Sequence, residues 1–213
     1  MHVWYAGRVA AGRLAGMRLV LDWDGTCTEV DGLHMILVPF GDLEIYRRME
    51  GVLGNGLTLH EVIAAEVGTV TLPLEQAADW VHENVTVRDG FHELAARYRP
   101  VIVSSGFHEL IEPVLAREGV ELEVLANSLD ARSDGWRPLW RDEAACATCG
   151  EPCKRGVLAG EPYVYVGDGY SDRCAALAAE RVFTRNGLAR WLDAECVGYE
   201  PYDDLWDVLD ALG

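Results

Sequence analysis

The chain is 213 residues long and half hydrophobic, with 35 acidic and 18 basic residues and a formal charge of −17. That is enough for one sizeable domain plus an insertion, while the acidic balance, with no basic stripe, works against free nucleic acid or an anionic membrane surface as partners. No apolar run approaches the roughly 20 residues of a membrane-spanning helix, and six cysteines in a chain of this length suit a reducing cytoplasm better than a disulfide-stapled secreted scaffold.

Residues 1–16 (MHVWYAGRVAAGRLAG) read as a loose N-terminal tail. Arg8, Gly12 and Arg13 interrupt any secretory apolar core, and Met17 stands as a natural first residue of the folded part. MRLVLDWDGT then has the pattern of a buried parallel strand that stops abruptly in acidic, Gly and Thr residues. Residues 30–86 break the strand rhythm, with helical patterns around 42–50, 57–67 and 74–84 and Pro73 in a first-turn position. They read as a helical cap inserted into a core made of 17–29 and 87–213. Apolar runs at 100–106, 120–126 and 163–169, each followed by helical periodicity, complete an α/β pattern with a parallel sheet. In such sheets ligands bind beyond the carboxyl ends of the strands.

Several chemistry-bearing residues fall at those ends. Asp22 and Asp24 in DWDGT share one face of an extended segment, so two carboxylates can hold a hard cation and divide chemical work, and the following glycine permits a sharp turn. An ordinary acidic helix cap would look similar. Ser104 closes VIVSSG, where a hydroxyl and loop amides, with Ser105 and Gly106, suit phosphoryl oxygens, although an ordinary turn has the same composition. Asp168 and Asp172 in GDGYSD form a second acidic loop suited to oxygen coordination of magnesium. Lys154 is the only lysine of the chain, every other basic residue being arginine. A compact ammonium can neutralise a carboxylate and a phosphoryl group together, which a planar guanidinium does less well.

Taken jointly, DWDGT, the Ser104 strand end, Lys154 and GDGYSD resemble, in order, the four signatures of the haloacid dehalogenase phosphatases, over residues 17 to about 180. The resemblance implies a Rossmann-like parallel sheet with a helical cap between the first and second motifs, and Mg2+ as cofactor. It implies Asp22 as nucleophile, Asp24 as acid and base, and Ser104 and Lys154 as holders of the transferring group. Magnesium would sit on Asp22, on the backbone carbonyl of Asp24 and on Asp168, with Asp172 as a further metal-site residue or as the group that orients Lys154; Thr26 would hold Asp24. The inserted cap and ANSLDARSDGW (126–136) look like the phosphoserine phosphatase branch. CATCGEPCK (146–154) is similar to the methionine-salvage phosphatases for 2-hydroxy-3-keto-5-methylthiopentenyl-1-phosphate and to phosphoethanolamine/phosphocholine phosphatases. Ser105 departs from the glycine usual in phosphoserine phosphatase.

A small phosphorylated metabolite is therefore the expected partner, and Asp31, Arg88, Arg47 and Arg48 are candidates to recognise it, although a solvated charged face explains them equally well. Cys146, Cys149 and Cys153 lack a fourth ligand nearby in sequence and read as reduced, packed thiols, with zinc as the alternative. His34, His60, His82, His92 and His108 show no ligand spacing, and Trp136 and Trp140 read as packing residues. Two rival readings are a catalytically silent module that binds a phosphorylated ligand and a phosphomutase that keeps water from the acyl phosphate.

Overall fold

A computed structural model describes residues 16–158 and 160–213; the expected tail, apart from Gly16, lies outside the described residues. Seven strands, β1 (Arg18–Leu21), β2 (Val101–Phe107), β3 (Glu123–Asp130), β4 (Arg137–Leu139), β5 (Tyr163–Gly167), β6 (Arg181–Thr184) and β7 (Glu200–Pro201), form one sheet. Their order is β4-β3-β2-β1-β5-β6-β7, parallel except for the antiparallel β3–β4 hairpin. The α/β fold class expected from the alternating pattern is the one observed. β3 starts at Glu123 rather than 120, because the Val120 N–H still bonds back to Leu115 O and closes the preceding helix.

β1 lies at the centre, and its unbroken apolar run follows from burial on both faces. Leu19 and Leu21 join one core with Ile102, Val164 and Val166, while Val20 joins the opposite core with Val101, Val103, Tyr163 and Tyr165. Each fully buried aliphatic side chain contributes roughly 1.5–3 kcal/mol, so the strand that carries Asp22 at its end is among the most firmly held parts of the sheet.

Between β1 and β2 the chain forms α1 (Gly32–Phe40), α2 (Leu43–Val52), α3 (Leu59–Val67) and α4 (Leu74–Asn84), with α5 (Phe91–Tyr98) leading into β2. Side chains mark the starts. Asp31 accepts from His34 N, Asp42 from Glu44 N and Ile45 N, and Thr58 and Glu61 form a reciprocal capping box. α1 escaped the sequence pattern because GLHMILVPF is apolar nearly throughout and carries Pro39, so it shows no amphipathic period. The remaining helices are α6 (His108–Arg117), α7 (Lys154–Val157), α8 (Arg173–Ala176), α9 (Asn186–Ala194) and α10 (Leu205–Leu212).

The β3–β4 hairpin ties the inserted helices to the sheet. Trp136, fully buried, donates its backbone N–H towards Val67 O (3.2 Å) and Val70 O (3.1 Å), and its indole Nε1 to Leu72 O (2.8 Å). Trp140 stacks flat on His60 at 3.8 Å between ring centroids. Trp136→Ala, which leaves a large void at this junction, should destabilise the protein by about 3–5 kcal/mol in denaturant unfolding; Trp136→Phe, which keeps most of the ring volume, should cost clearly less.

Candidate active site

The carboxyl ends of β1, β2 and β5 meet at one point, and α7 delivers its first residue there. Asp22 follows β1 directly, and its N–H bonds to Val166 O of β5 (2.9 Å). The chain then turns through Trp23–Cys27, where Gly25 adopts φ +75°. A Cβ at Gly25 would lie 2.6 Å from Asp168 Oδ2, so both the backbone angle and the close approach of the second acidic loop require glycine.

Lys154 is almost wholly buried, and its ammonium lies between two carboxylates. Nζ donates to Asp22 Oδ1 and to Asp172 Oδ1, the latter at 2.6 Å. Burial works against the ammonium, but Asp172 and Asp22 outweigh it and hold its pKa above the ordinary lysine value. Asp172 is drawn below the usual carboxylate range: burial opposes this, and Lys154 overcomes it. Its four contacts are complete, since Oδ1 also accepts from Tyr165 OH (2.6 Å) and Oδ2 accepts from Asp168 N and Gly169 N (2.9 Å each). Asp172, counted from sequence among the metal ligands, is thus occupied in holding Lys154.

Asp22 has its pKa raised by burial and then by Asp172, with Lys154 pulling the other way. Asp24 is raised to about 8, by burial first and then by Asp31, while the Gly32 N–H, 2.8 Å from Oδ1, opposes the shift. Burial and Asp31 thus favour the protonated form of Asp24. Its other oxygen faces the second motif: a Cβ at Gly106 would lie 2.9 Å from Asp24 Oδ2 and 3.1 Å from Ser104 Oγ. Ser104 Oγ accepts the Gly106 N–H (2.8 Å), and Asn127 Nδ2 on β3 donates to Ser105 O (2.8 Å), fixing this strand end.

Thr26 and Arg88 have different partners from those expected. The Thr26 hydroxyl donates to Asp168 Oδ1 (3.4 Å) rather than to Asp24, which is held by the Gly32 amide instead. Arg88 is buried and does not line the cavity; its guanidinium donates to the carbonyls of Thr26, Gly25 and Thr28 (2.9, 2.9 and 3.0 Å). It braces the turn that carries Asp24, so burial removes it from substrate recognition. Arg47 and Arg48 do not line the cavity either.

Oxygens of Asp22, Asp168 and Asp172 lie within 4.8 Å of one another. With the Asp172 oxygens taken by Lys154, Tyr165 and two amides, those of Asp22 and Asp168 are the pair suited to a hard divalent cation. Four carboxylates (Asp22, Asp24, Asp168, Asp172) gather around one ammonium, and burial together with this acidic excess raises the pKa of Asp22, Asp24 and Asp168, which a divalent cation would oppose. Asp168, whose pKa is raised by burial and by Asp172, has only the long Thr26 contact and Asn186 Nδ2 (3.2 Å) on its carboxylate. Its oxygens remain open to a metal.

A cavity of about 410 Å³ runs from these residues to the inserted helices. Its lining includes apolar Leu33, Leu37, Leu59, Val62 and Ile63 and polar Asp31, His34, Tyr46, Glu50 and Glu66, with Ser105 and Gly106 beside Ser104. His34 Nδ1 lies 2.9 Å from Tyr46 OH. Glu66 is buried, its Oε1 lacks a hydrogen-bond partner, and its pKa is raised to about 8 by burial and then by Glu50 and Asp31. Among the described residues lining this cavity none is arginine or lysine. Sequence reasoning missed His34, Tyr46, Glu50 and Glu66, which lack motif spacing and converge only when α1, α2 and α3 pack together; it missed Tyr165 because it reads as one more apolar strand position.

No protein-family model matches the chain. It is similar to the 2-hydroxy-3-keto-5-methylthiopentenyl-1-phosphate phosphatase of Exiguobacterium sibiricum, 26% identical over 214 residues, which cover 92% of this chain and 96% of that protein. The Microcystis aeruginosa protein of the same name is 26% identical over 208 residues, covering 90% and 95%. Among solved structures, a substrate-bound phosphoserine phosphatase superposes with a TM-score of 0.67 at 18% identity, covering 92% of this chain and 99% of that one. A HAD family hydrolase of Salmonella enterica serovar Typhi superposes at 0.70 with 15% identity, covering 94% and 73%. The chain thus has the fold of the haloacid dehalogenase phosphatases and resembles, along most of its length, the phosphoserine phosphatase-like branch with its methionine-salvage phosphatases.

Proposed function

We propose that the protein is a magnesium-dependent phosphomonoesterase that hydrolyses a small phosphorylated metabolite through a phospho-aspartate on Asp22. The observation that carries this reading is the buried Lys154 ammonium held between Asp22 and Asp172 at the strand ends. A carboxylate oxygen of Asp22 bonds to phosphorus as the ester P–O bond breaks. Asp24, whose protonated form is favoured by burial and by Asp31, delivers its proton to the departing oxygen. The Asp24 carboxylate then takes a proton from the water that attacks phosphorus; the P–O bond to Asp22 breaks, and phosphate leaves with Asp22 restored. Ser104 and the Gly106 region hold phosphoryl oxygens, and Lys154 neutralises charge building between Asp22 and the transferring group. Asp22 and Asp168, with the Asp24 carbonyl, would hold Mg2+, which supplies electrostatic shielding between an anionic nucleophile and an anionic substrate.

Residues 30–86 act in this reading as the cap that selects the leaving group, over a core of 17–29 and 87–213, and Asp31, Ser105 and Gly106 contact substrate. Similarity along most of the chain to methionine-salvage phosphatases and the apolar lining residues Leu33, Leu37 and Leu59 support the enol phosphate as substrate. A phosphocholine-type substrate is the second reading, favoured by Asp31, Glu50 and the unpartnered Glu66 in a cavity without a lining cation. Phosphoserine fits less well, because its carboxylate would enter a cavity lined by Asp31, Glu50 and Glu66 and by no arginine or lysine among the described residues. Phosphate release from these three esters, with and without magnesium, decides among them; no release from any phosphomonoester would favour the silent binding module.

Asp22→Asn should abolish turnover, since an amide cannot form the acyl phosphate. Lys154→Arg should lower the rate by about 10²–10³ with the fold retained, because a guanidinium cannot occupy the same point between the two carboxylates; a variant within threefold of wild type by phosphate release would contradict the role given to Lys154. Glu66 binds its proton more tightly folded than unfolded, so its stabilising contribution is full below about pH 4.5 and is lost as pH rises to about 8. Glu66→Gln should therefore raise the melting temperature at pH 8 more than at pH 5, and an equal shift at both would show that Glu66 is already ionised in the folded protein.

A further inference from the structure

A second donor cluster adjoins the segment that carries Lys154, with Cys153 immediately before that lysine. Sequence places Cys146, Cys149 and Cys153 together but supplies no fourth ligand nearby; the fold brings up Cys174, from the start of α8. The four sulfurs lie within 4.8 Å of one another. We propose that Cys146, Cys149, Cys153 and Cys174 form a tetrahedral thiolate site for a zinc ion that fixes the segment bearing Lys154 to the segment bearing Asp172.

The dimensions suit zinc. With Zn–S bonds of about 2.3 Å, the edge of a sulfur tetrahedron is about 3.8 Å, and Cys146 Sγ and Cys174 Sγ are 3.8 Å apart. Contraction of the remaining pairs by up to about an ångström closes the site. The loop is built for it: Cys146, Cys149 and Gly150 form a Cys-x-x-Cys-Gly turn in which Gly150 takes φ +78° and its N–H bonds to Cys146 O (2.8 Å). Cys146 N bonds in turn to Glu151 O (2.9 Å), and the Thr148 N–H points at Cys146 Sγ from 3.4 Å. A backbone amide directed at sulfur is a second-sphere contact that favours a thiolate ligand. Four soft thiolates select zinc over magnesium, whereas the oxygens of Asp22 and Asp168 do the reverse, so the two sites do not compete for one ion.

The site has a structural consequence. Cys153 immediately precedes Lys154, and Cys174 follows Asp172 by two residues. Each lies on or next to a helix of only four residues, α7 and α8, too short to be stable by its own hydrogen bonds. An ion bound to both ends fixes the separation across which Lys154 reaches Asp172, and adds its binding free energy to that of the fold.

The test uses the full chain, reduced and saturated with magnesium so that the carboxylate site is filled. Purification without chelator should yield about one zinc per chain by elemental analysis. Cobalt(II) added to the zinc-stripped chain should produce sulfur-to-metal charge-transfer absorption with strong visible bands of a tetrahedral thiolate complex. Cys149→Ser, at an exposed position, should weaken those bands, while Cys196→Ser should leave them unchanged. Zinc removal should lower the melting temperature, with restoration by zinc and not by magnesium. Absence of sulfur charge transfer in the wild-type chain, the same spectrum in Cys149→Ser as in wild type, or thiol counts showing the four cysteines joined in disulfides in a zinc-free protein isolated without oxidant, would each overturn the proposal.

Discussion

Placing one ammonium in the interior is the constraint on which the rest of this site depends. A buried charge is costly unless partners surround it, and Lys154 meets two carboxylates from neighbouring strands, Asp22 after β1 and Asp172 in the turn after β5. Asp172 can serve only because its remaining lone pairs are filled by Tyr165 and two backbone amides. The result is a fixed positive point beside Asp22, organised before any substrate arrives. Removal of either carboxylate would leave a buried charge underpaired, so these residues act as one unit whose contributions do not add.

Asp22 and Asp24 show how position gives identical side chains different surroundings. Asp22 shares Lys154, whereas Asp24 is enclosed, faces Asp31, and receives only the amide of the first residue of α1. The inserted helices thus both contribute a cavity wall and hold one of the motif aspartates. Arg88 adds a brace from behind, by bonding three carbonyls of the same turn. A residue of that kind influences chemistry through geometry alone.

Much of the core was legible because its signals are local. β1, β2 and β5 announce themselves as apolar runs that end in Asp or Ser, and Lys154 stands out in a chain that otherwise uses only arginine. α4 matches its expected range because its period is clear, whereas α1 has no polar face to read. What stayed hidden depends on tertiary contact. Arg88 read equally as a substrate contact or a solvated charge because sequence does not report burial. Thr26 sits two residues from Asp24 but turns its hydroxyl to Asp168, 142 positions away. Cys174 joins the other cysteines only because the β5 turn folds back on the loop before α7.

Chemical identification of the covalent intermediate bears most directly on this account. Acid quenching during turnover, followed by borohydride reduction and peptide mass spectrometry, converts an aspartyl phosphate to homoserine at the phosphorylated position. The account predicts homoserine at position 22, dependent on substrate, with positions 24, 168 and 172 unmodified. Steady phosphate release with no modification at position 22, or with modification at another aspartate, would contradict it.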